Sequence, residues 1–193
     1  MLNITAFLSY VFVTSFTPGP NNLMSLSNAS RYGFKRSINF NFGVFAGFFL
    51  VIALCSLFSV GLYKYIPSIK PVMTVVGATY ILWLAWKTLK SKPSDAEDVQ
   101  NQYGFIEGLL LQFVNPKAIL YGITTVSTFI IPYYDSPTIL LAFAVFLALI
   151  GFISTCCWAL FGSLFQKFLT NHTQLFNLVM TALLVYCAVS LFL

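Results

Sequence analysis

Charge is what this sequence has least of. Only 8% of its 193 residues are Asp, Glu, Lys or Arg, against about a quarter in an ordinary soluble domain. Four stretches, 1–30, 41–63, 136–166 and 173–193, hold no charged residue. Acid is scarcer still: Asp95, Glu97 and Asp98 crowd into one hydrophilic segment, and Glu107 and Asp135 complete the set. Histidine occurs once, at His172. With neither paired carboxylates nor paired histidines inside the apolar runs, the chain lacks the acid/base or nucleophilic constellation of an intramembrane enzyme. A G-x-x-x-x-G-K-[ST] phosphate loop is missing, which excludes ATP hydrolysis by that route. Cys55, Cys156, Cys157 and Cys187 fall within apolar runs and show no metal-ligand spacing, so no metal or cofactor is expected. The absence of a basic stripe interleaved with exposed aromatics excludes nucleic acid as a partner.

What is present is apolar: 59% of the residues. A spanning helix needs about 20 such residues, and six segments qualify, at roughly 4–27, 41–63, 71–89, 107–131, 138–164 and 173–192. The expectation is an all-α integral membrane protein with six transmembrane helices, a single transporter domain over 1–193. It divides into a three-helix half at 1–90, a hydrophilic cytoplasmic linker at 91–104 and a second three-helix half at 105–193. The first span has no basic n-region and carries Pro-Gly-Pro in place of a cleavage site, so it reads as a retained helix and not a signal peptide.

The basic residues set an orientation. Arg31, Lys35, Arg36, Lys87, Lys90, Lys92 and Lys167 fall on one side of a six-span arrangement, Lys64 and Lys70 on the other. Positive loops stay cytoplasmic, which places both termini outside the cytoplasm. The net charge of +5 then reflects topology and contact with membrane lipid.

Two spans are interrupted. Thr17, Pro18, Gly19, Pro20, Asn21 and Asn22 break the first, and Asn115, Pro116 and Lys117 break the fourth. A proline inside a helix removes one N–H and clashes with a carbonyl a turn back, costing about 3 kcal/mol. In hydrocarbon the freed groups need protein or a wet cavity as partners. Phe7 precedes Pro18 by eleven residues and Phe105 precedes Pro116 by the same interval. An odd number of spans per half makes the second half inverted, so the reading is two inverted three-helix repeats with broken helices 1 and 4 and a solute held between the breaks.

The candidate substrate-binding residues are Asn21, Asn22, Asn115, Lys117, Gln112, Tyr80 and Tyr121. Thr17, Pro18, Gly19, Pro20 and Pro116 shape the break. The restart of the first span after Pro20 offers free N–H groups to a carboxylate, the amides both donate and accept, and carbonyls released before each proline can receive an ammonium. Lys117 lies about 15 Å along the fourth helix from Glu107. An ionisable residue at that depth serves substrate attraction, proton relay or a pin on carbonyls freed by Pro18. Gly43 and Gly47 form a small-residue step that serves either internal packing or a homo-oligomer.

Three segments carry a family resemblance: Thr17-Pro18-Gly19-Pro20-Asn21, the run from Gly77 through Tyr80, Trp83 and Trp86 to Lys87, and Asn115-Pro116-Lys117-Ala118. In this order and over the whole chain, they resemble the LysE/RhtB family of bacterial amino-acid exporters. Asn21-Asn22, Gln112 to Asn115, Ala118 to Gly122 and Val185 to Val189 are most similar to members that export cysteine and O-acetylserine. The resemblance implies a bacterial inner-membrane secondary exporter of small neutral amino acids, with proton antiport as its coupling. A channel, or an exporter of another small polar solute, is the alternative that two polar breaks also allow.

Overall fold

The computed structural model describes residues 3–90, 103–189 and 192, and among these there is helix and no strand. The helices are α1 (Ile4–Phe16), α2 (Pro20–Tyr32), α3 (Phe34–Leu57), α4 (Ser59–Lys90), α5 (Phe105–Val114), α6 (Pro116–Thr125), α7 (Pro137–Leu164), α8 (Gln166–Asn171) and α9 (Thr173–Val189). A π-helical turn, Val126–Ile130, prolongs α6. By length and composition α3 and α7 can each cross a membrane, and α5 with α6 and its π-turn makes a third span if that bent pair counts as one. Most of the linker, residues 91–102, lies outside the described residues.

Both interruptions expected from the prolines are present. α1 stops at Phe16 because Thr17, preceding a proline, is driven to an extended conformation (φ −65°, ψ 148°). Chain direction is recovered at Pro20, which opens α2 in the first helical position, where its missing N–H costs nothing. α5 ends at Val114, and α6 restarts at Pro116 at 65° to it.

The boundaries of the second and third spans differ from the sequence reading. Gly33, at φ 78°, reverses the chain in one residue, so α3 begins at Phe34 and absorbs Lys35 and Arg36, expected in a loop. α3 ends at Leu57, and the expected loop at 64–70 lies inside α4.

Polarity is inverted relative to a water-soluble bundle. Asn22, Ser25, Ser27, Asn28 and Ser30 of α2 are all buried, while Leu57, Leu164, Ile4 and Tyr186 are more than 60% exposed. α2, rich in Asn and Ser, is surrounded by α3, α7, α8 and α9. Ser25 donates to Asn41 within this interior. Such a distribution suits a surface in contact with hydrocarbon.

Glycines set the closest approaches. A Cβ on Gly43 would meet the carbonyl of Phe105, one on Gly47 that of Leu109, and one on Gly108 that of Phe40. The Gly43–Gly47 step is therefore spent on joining α3 to α5 inside one subunit. Gly162 brings α7 against the Leu26 carbonyl of α2 in the same way. α3 and α7 also pack on each other, as do α4 and α9.

Candidate functional site

The end of α1 is the centre of the site. A helix terminus leaves its last carbonyls without intrahelical partners, and here each is met by a side chain. Thr17 Oγ1 donates to Thr14 O at 3.0 Å. Ser15 O accepts from Asn22 Nδ2 and from Ser154 Oγ, each at 2.8 Å. Trp158 Nε1 donates to Phe16 O at 3.3 Å. Thr17 O accepts from Asn22 Nδ2 at 2.9 Å and from Lys117 Nζ at 3.1 Å. Lys117 Nζ also donates to Thr17 Oγ1 at 3.0 Å and to Pro18 O at 3.4 Å.

The second break is tied to the first by amides. Asn21 Nδ2 donates to Gln112 Oε1 at 2.8 Å, and Asn21 Oδ1 accepts from Gln112 Nε2 at 3.0 Å and from Asn115 Nδ2 at 3.1 Å. Gln112 Nε2 also reaches Gly108 O at 3.0 Å. Asn115 Oδ1 accepts from Lys117 N at 3.1 Å and so caps α6. α2, by contrast, has Gly19 at its cap and no side-chain hydrogen bond there among the described residues. Of the two restarted helices, only α2 offers an uncapped N-terminus.

Two chambers adjoin this junction, with Thr14, Gly19, Pro20, Asn115, Lys117 and Tyr121 lining both. The smaller, about 50 Å³, adds Ser15, Asn21, Asn22, Phe48 and Thr155. The larger, about 310 Å³, adds Tyr10, Pro18, Thr124, Tyr186 and Cys187. The latter falls at the low end of small-molecule sites, about 300–1,000 Å³, whereas the former holds little beyond ordered water. Tyr121 is stacked on Tyr10 at 5.8 Å between ring centroids and packed on Phe48 at 5.4 Å. Its hydroxyl is buried and faces Ser15 without a formed hydrogen bond, leaving it a polar handle at the chamber wall.

A second apolar cluster adjoins the junction: Leu23, Met24, Phe40, Val44, Leu84, Leu111, Met180 and Leu184 pack with Tyr103 and with Ile81, which also lines the larger chamber. Asn28 Nδ2 donates to Tyr103 O at 3.0 Å, Arg31 Nη2 to Asn177 Oδ1 at 2.6 Å, and the Lys87 ammonium stands 4.4 Å from the Tyr103 ring centroid. Burial holds the Tyr103 phenol well above the ordinary tyrosine range, with Tyr80 adding to the effect, so it stays neutral. Glu107 accepts from Gly104 N at 2.9 Å, the capping contact expected of a carboxylate at a helix start.

The residues singled out from the sequence therefore meet in part. Asn21, Gln112, Asn115, Lys117 and Tyr121 converge with Thr17, Pro18, Gly19, Pro20 and Pro116. Asn22 closes α1, using its amide on Ser15 O and Thr17 O. Tyr80 stands apart beside Trp83, at 5.6 Å between centroids, and lines neither chamber. Lys117 places its ammonium on oxygens of the break itself, Thr17 O, Thr17 Oγ1 and Pro18 O. Thr14, Ser15, Ser154, Thr155 and Trp158 were not anticipated. The polar pair Ser154-Thr155 inside the uncharged run 136–166 was the available signal for the α7 residues.

A helical, outwardly apolar protein with a polar chamber at two facing helix breaks belongs to the class of membrane carriers and pores. More particularly, the chain belongs to the LysE type translocator family, which it matches over residues 12–193. It is 42% identical over 186 residues to the cysteine/O-acetylserine efflux protein of Klebsiella pneumoniae subsp. pneumoniae, covering 96% of this chain and 95% of the relative. The protein of the same description from Salmonella typhimurium is 42% identical over 98% of this chain and 97% of its own length. One from Escherichia coli O1:K1 is 40% identical with the same coverage. No solved structure matched.

Proposed function

We propose that this translocator is a secondary exporter of small neutral amino acids, cysteine and O-acetylserine foremost, working in the bacterial inner membrane. One observation carries the reading: the junction presents opposite electrostatic ends side by side. The uncapped start of α2 favours an anion through its free N–H groups and helix dipole. The carbonyl end of α1 favours a cation, and already holds the ammonium of Lys117. A zwitterion needs both. The cysteine/O-acetylserine efflux proteins similar to this chain supply the solute class.

An inverted repeat accounts for the packing pattern. α3 rests on α5 and α6, the broken pair of the second half, and α7 rests on α1 and α2, the broken pair of the first. Helix pairs α3–α7 and α4–α9 would be related to themselves by such a two-fold. With six spans and both termini outside, the α1 and α6 residues of the larger chamber, Tyr10, Thr14, Tyr121 and Thr124, would lie toward the outer face and Tyr103 toward the cytoplasm.

Neither acid among the described residues, Glu107 or Asp135, lines a chamber, so proton antiport would depend on a group other than a carboxylate there. Efflux from proteoliposomes loaded with O-acetyl-L-serine tests the reading. Saturable efflux with counterflow is expected. A non-saturating leak would favour a channel, and no flux of any small neutral amino acid would remove the proposal. Imposing a pH gradient in the same vesicles decides coupling: acceleration supports antiport, and indifference rules it out.

A further inference from the structure

We propose that Lys117 is a built-in stand-in for the substrate's ammonium group, filling the cation subsite of the empty carrier and leaving it only for a zwitterion. The inference rests on the exporter reading and adds the means of selection. An ammonium has three N–H donors and no acceptor. All three of Lys117 are engaged, by Thr17 O, Thr17 Oγ1 and Pro18 O at 3.0–3.4 Å. These are the oxygens at the interrupted end of α1, and Pro18 and Lys117 themselves line the chamber in which a solute would sit. Gly19 makes the position accessible, since a Cβ there would stand 3.0 Å from Lys117 Cδ and Nζ.

Charge compensation decides which ligands can make the exchange. No carboxylate lines the chambers among the described residues, so the α1 carbonyl end is the compensation that Lys117 has. An incoming ammonium that takes those oxygens strands the lysine charge, unless the same ligand brings an anion. An amino acid does so: its ammonium takes the carbonyls and its carboxylate receives Lys117. A monocation displaces nothing at acceptable cost, because two positive charges would share a poorly hydrated site without a counter-ion. An anion lacking the amino group leaves Lys117 where it is.

Calorimetric titration of the purified full-length carrier tests this with three probes: O-acetyl-L-serine, cysteamine (the amine without a carboxylate) and 3-mercaptopropionate (the acid without an amine). Wild-type protein is expected to bind the amino acid and neither fragment. In Lys117→Met, and in Lys117→Gln should the first variant not fold, the cation subsite stands unoccupied and cysteamine binding is expected to tighten about tenfold or more. Cysteamine affinity within about threefold of wild type in the folded variant overturns the proposal. A structure of the wild type with O-acetyl-L-serine supplies an arm that no variant is needed for. Ligand nitrogen on Thr17 O with Lys117 Nζ moved away supports the proposal, and bound ligand with the Lys117 contacts intact overturns it. If wild-type carrier binds no amino acid while cysteamine still gains affinity in the variants, the exporter reading fails and the stand-in role of Lys117 survives.

Discussion

Among single residues, Asn22 and Lys117 bear most on the site, and they act on the same helix end. Asn22 gives both amide hydrogens to α1 carbonyls, so Asn22→Ala leaves buried acceptors partly unmet, at about 1–3 kcal/mol. A lowered thermal midpoint of the purified protein is the expected result, and it should be larger than for Asn21→Ala, whose partners Gln112 and Asn115 can pair with each other. Lys117→Gln is expected to abolish efflux of O-acetyl-L-serine while membrane levels stay at wild type. Transport at the wild-type rate in that variant would take Lys117 out of the mechanism. Much of this was legible in the sequence, because prolines, a glycine and asparagines are costly in an apolar run unless the helix breaks there and the freed groups find partners. The polar pair Ser154-Thr155 marked α7 as a polar donor, but the partners that Ser154 and Trp158 find on α1 were illegible, since hydrogen bonds spanning some 140 positions leave no trace in local periodicity. Tyr80 lies beside Trp83 and outside both chambers, a placement that closeness to a family-like motif does not encode.

For the elements, close backbone approach matters more than side-chain fit. Gly43, Gly47 and Gly108 bring α3 and α5 together so tightly that a Cβ at any of them meets a carbonyl of the other helix. Gly43→Val or Gly108→Val must force the helices apart, beyond the roughly 1–3 kcal/mol typical of an overfilled core. The expected outcome is loss of monodisperse protein on size exclusion, whereas Gly104→Ala, which meets only the Glu107 carboxylate at 3.3 Å, should behave as wild type. The break positions were readable from sequence because proline chemistry is local. The extent of α4 was not: Pro67 and Pro71 with Lys64 and Lys70 resemble a loop, and the helical continuation through them depends on the rest of the chain.

Over the whole molecule, the cysteines give a test of the proposed orientation. Cys187 lines the larger chamber and Cys55 is buried. A membrane-impermeant thiol reagent applied from outside is therefore expected to modify Cys187 and spare Cys55, and O-acetyl-L-serine should slow the reaction. Modification of Cys187 only from the cytoplasmic side would reverse the proposed orientation. Tyr103→Ala removes the ring that lies against Lys87 and Phe40 and leaves the main-chain carbonyl that accepts from Asn28. It should shift the carrier toward cytoplasmic opening, read as faster labelling of a cysteine placed at Asn28.

The glycine seams have a kinetic corollary. Helices pressed backbone to backbone cannot slide past one another without first separating, so α3 with α5, and α2 with α7, must each travel as a stiff plate. Any rocking of these plates has to hinge where they meet, at the contact of α3 and α7, while Gly77 presses α4 onto Pro116 and the Val114 carbonyl at the second break.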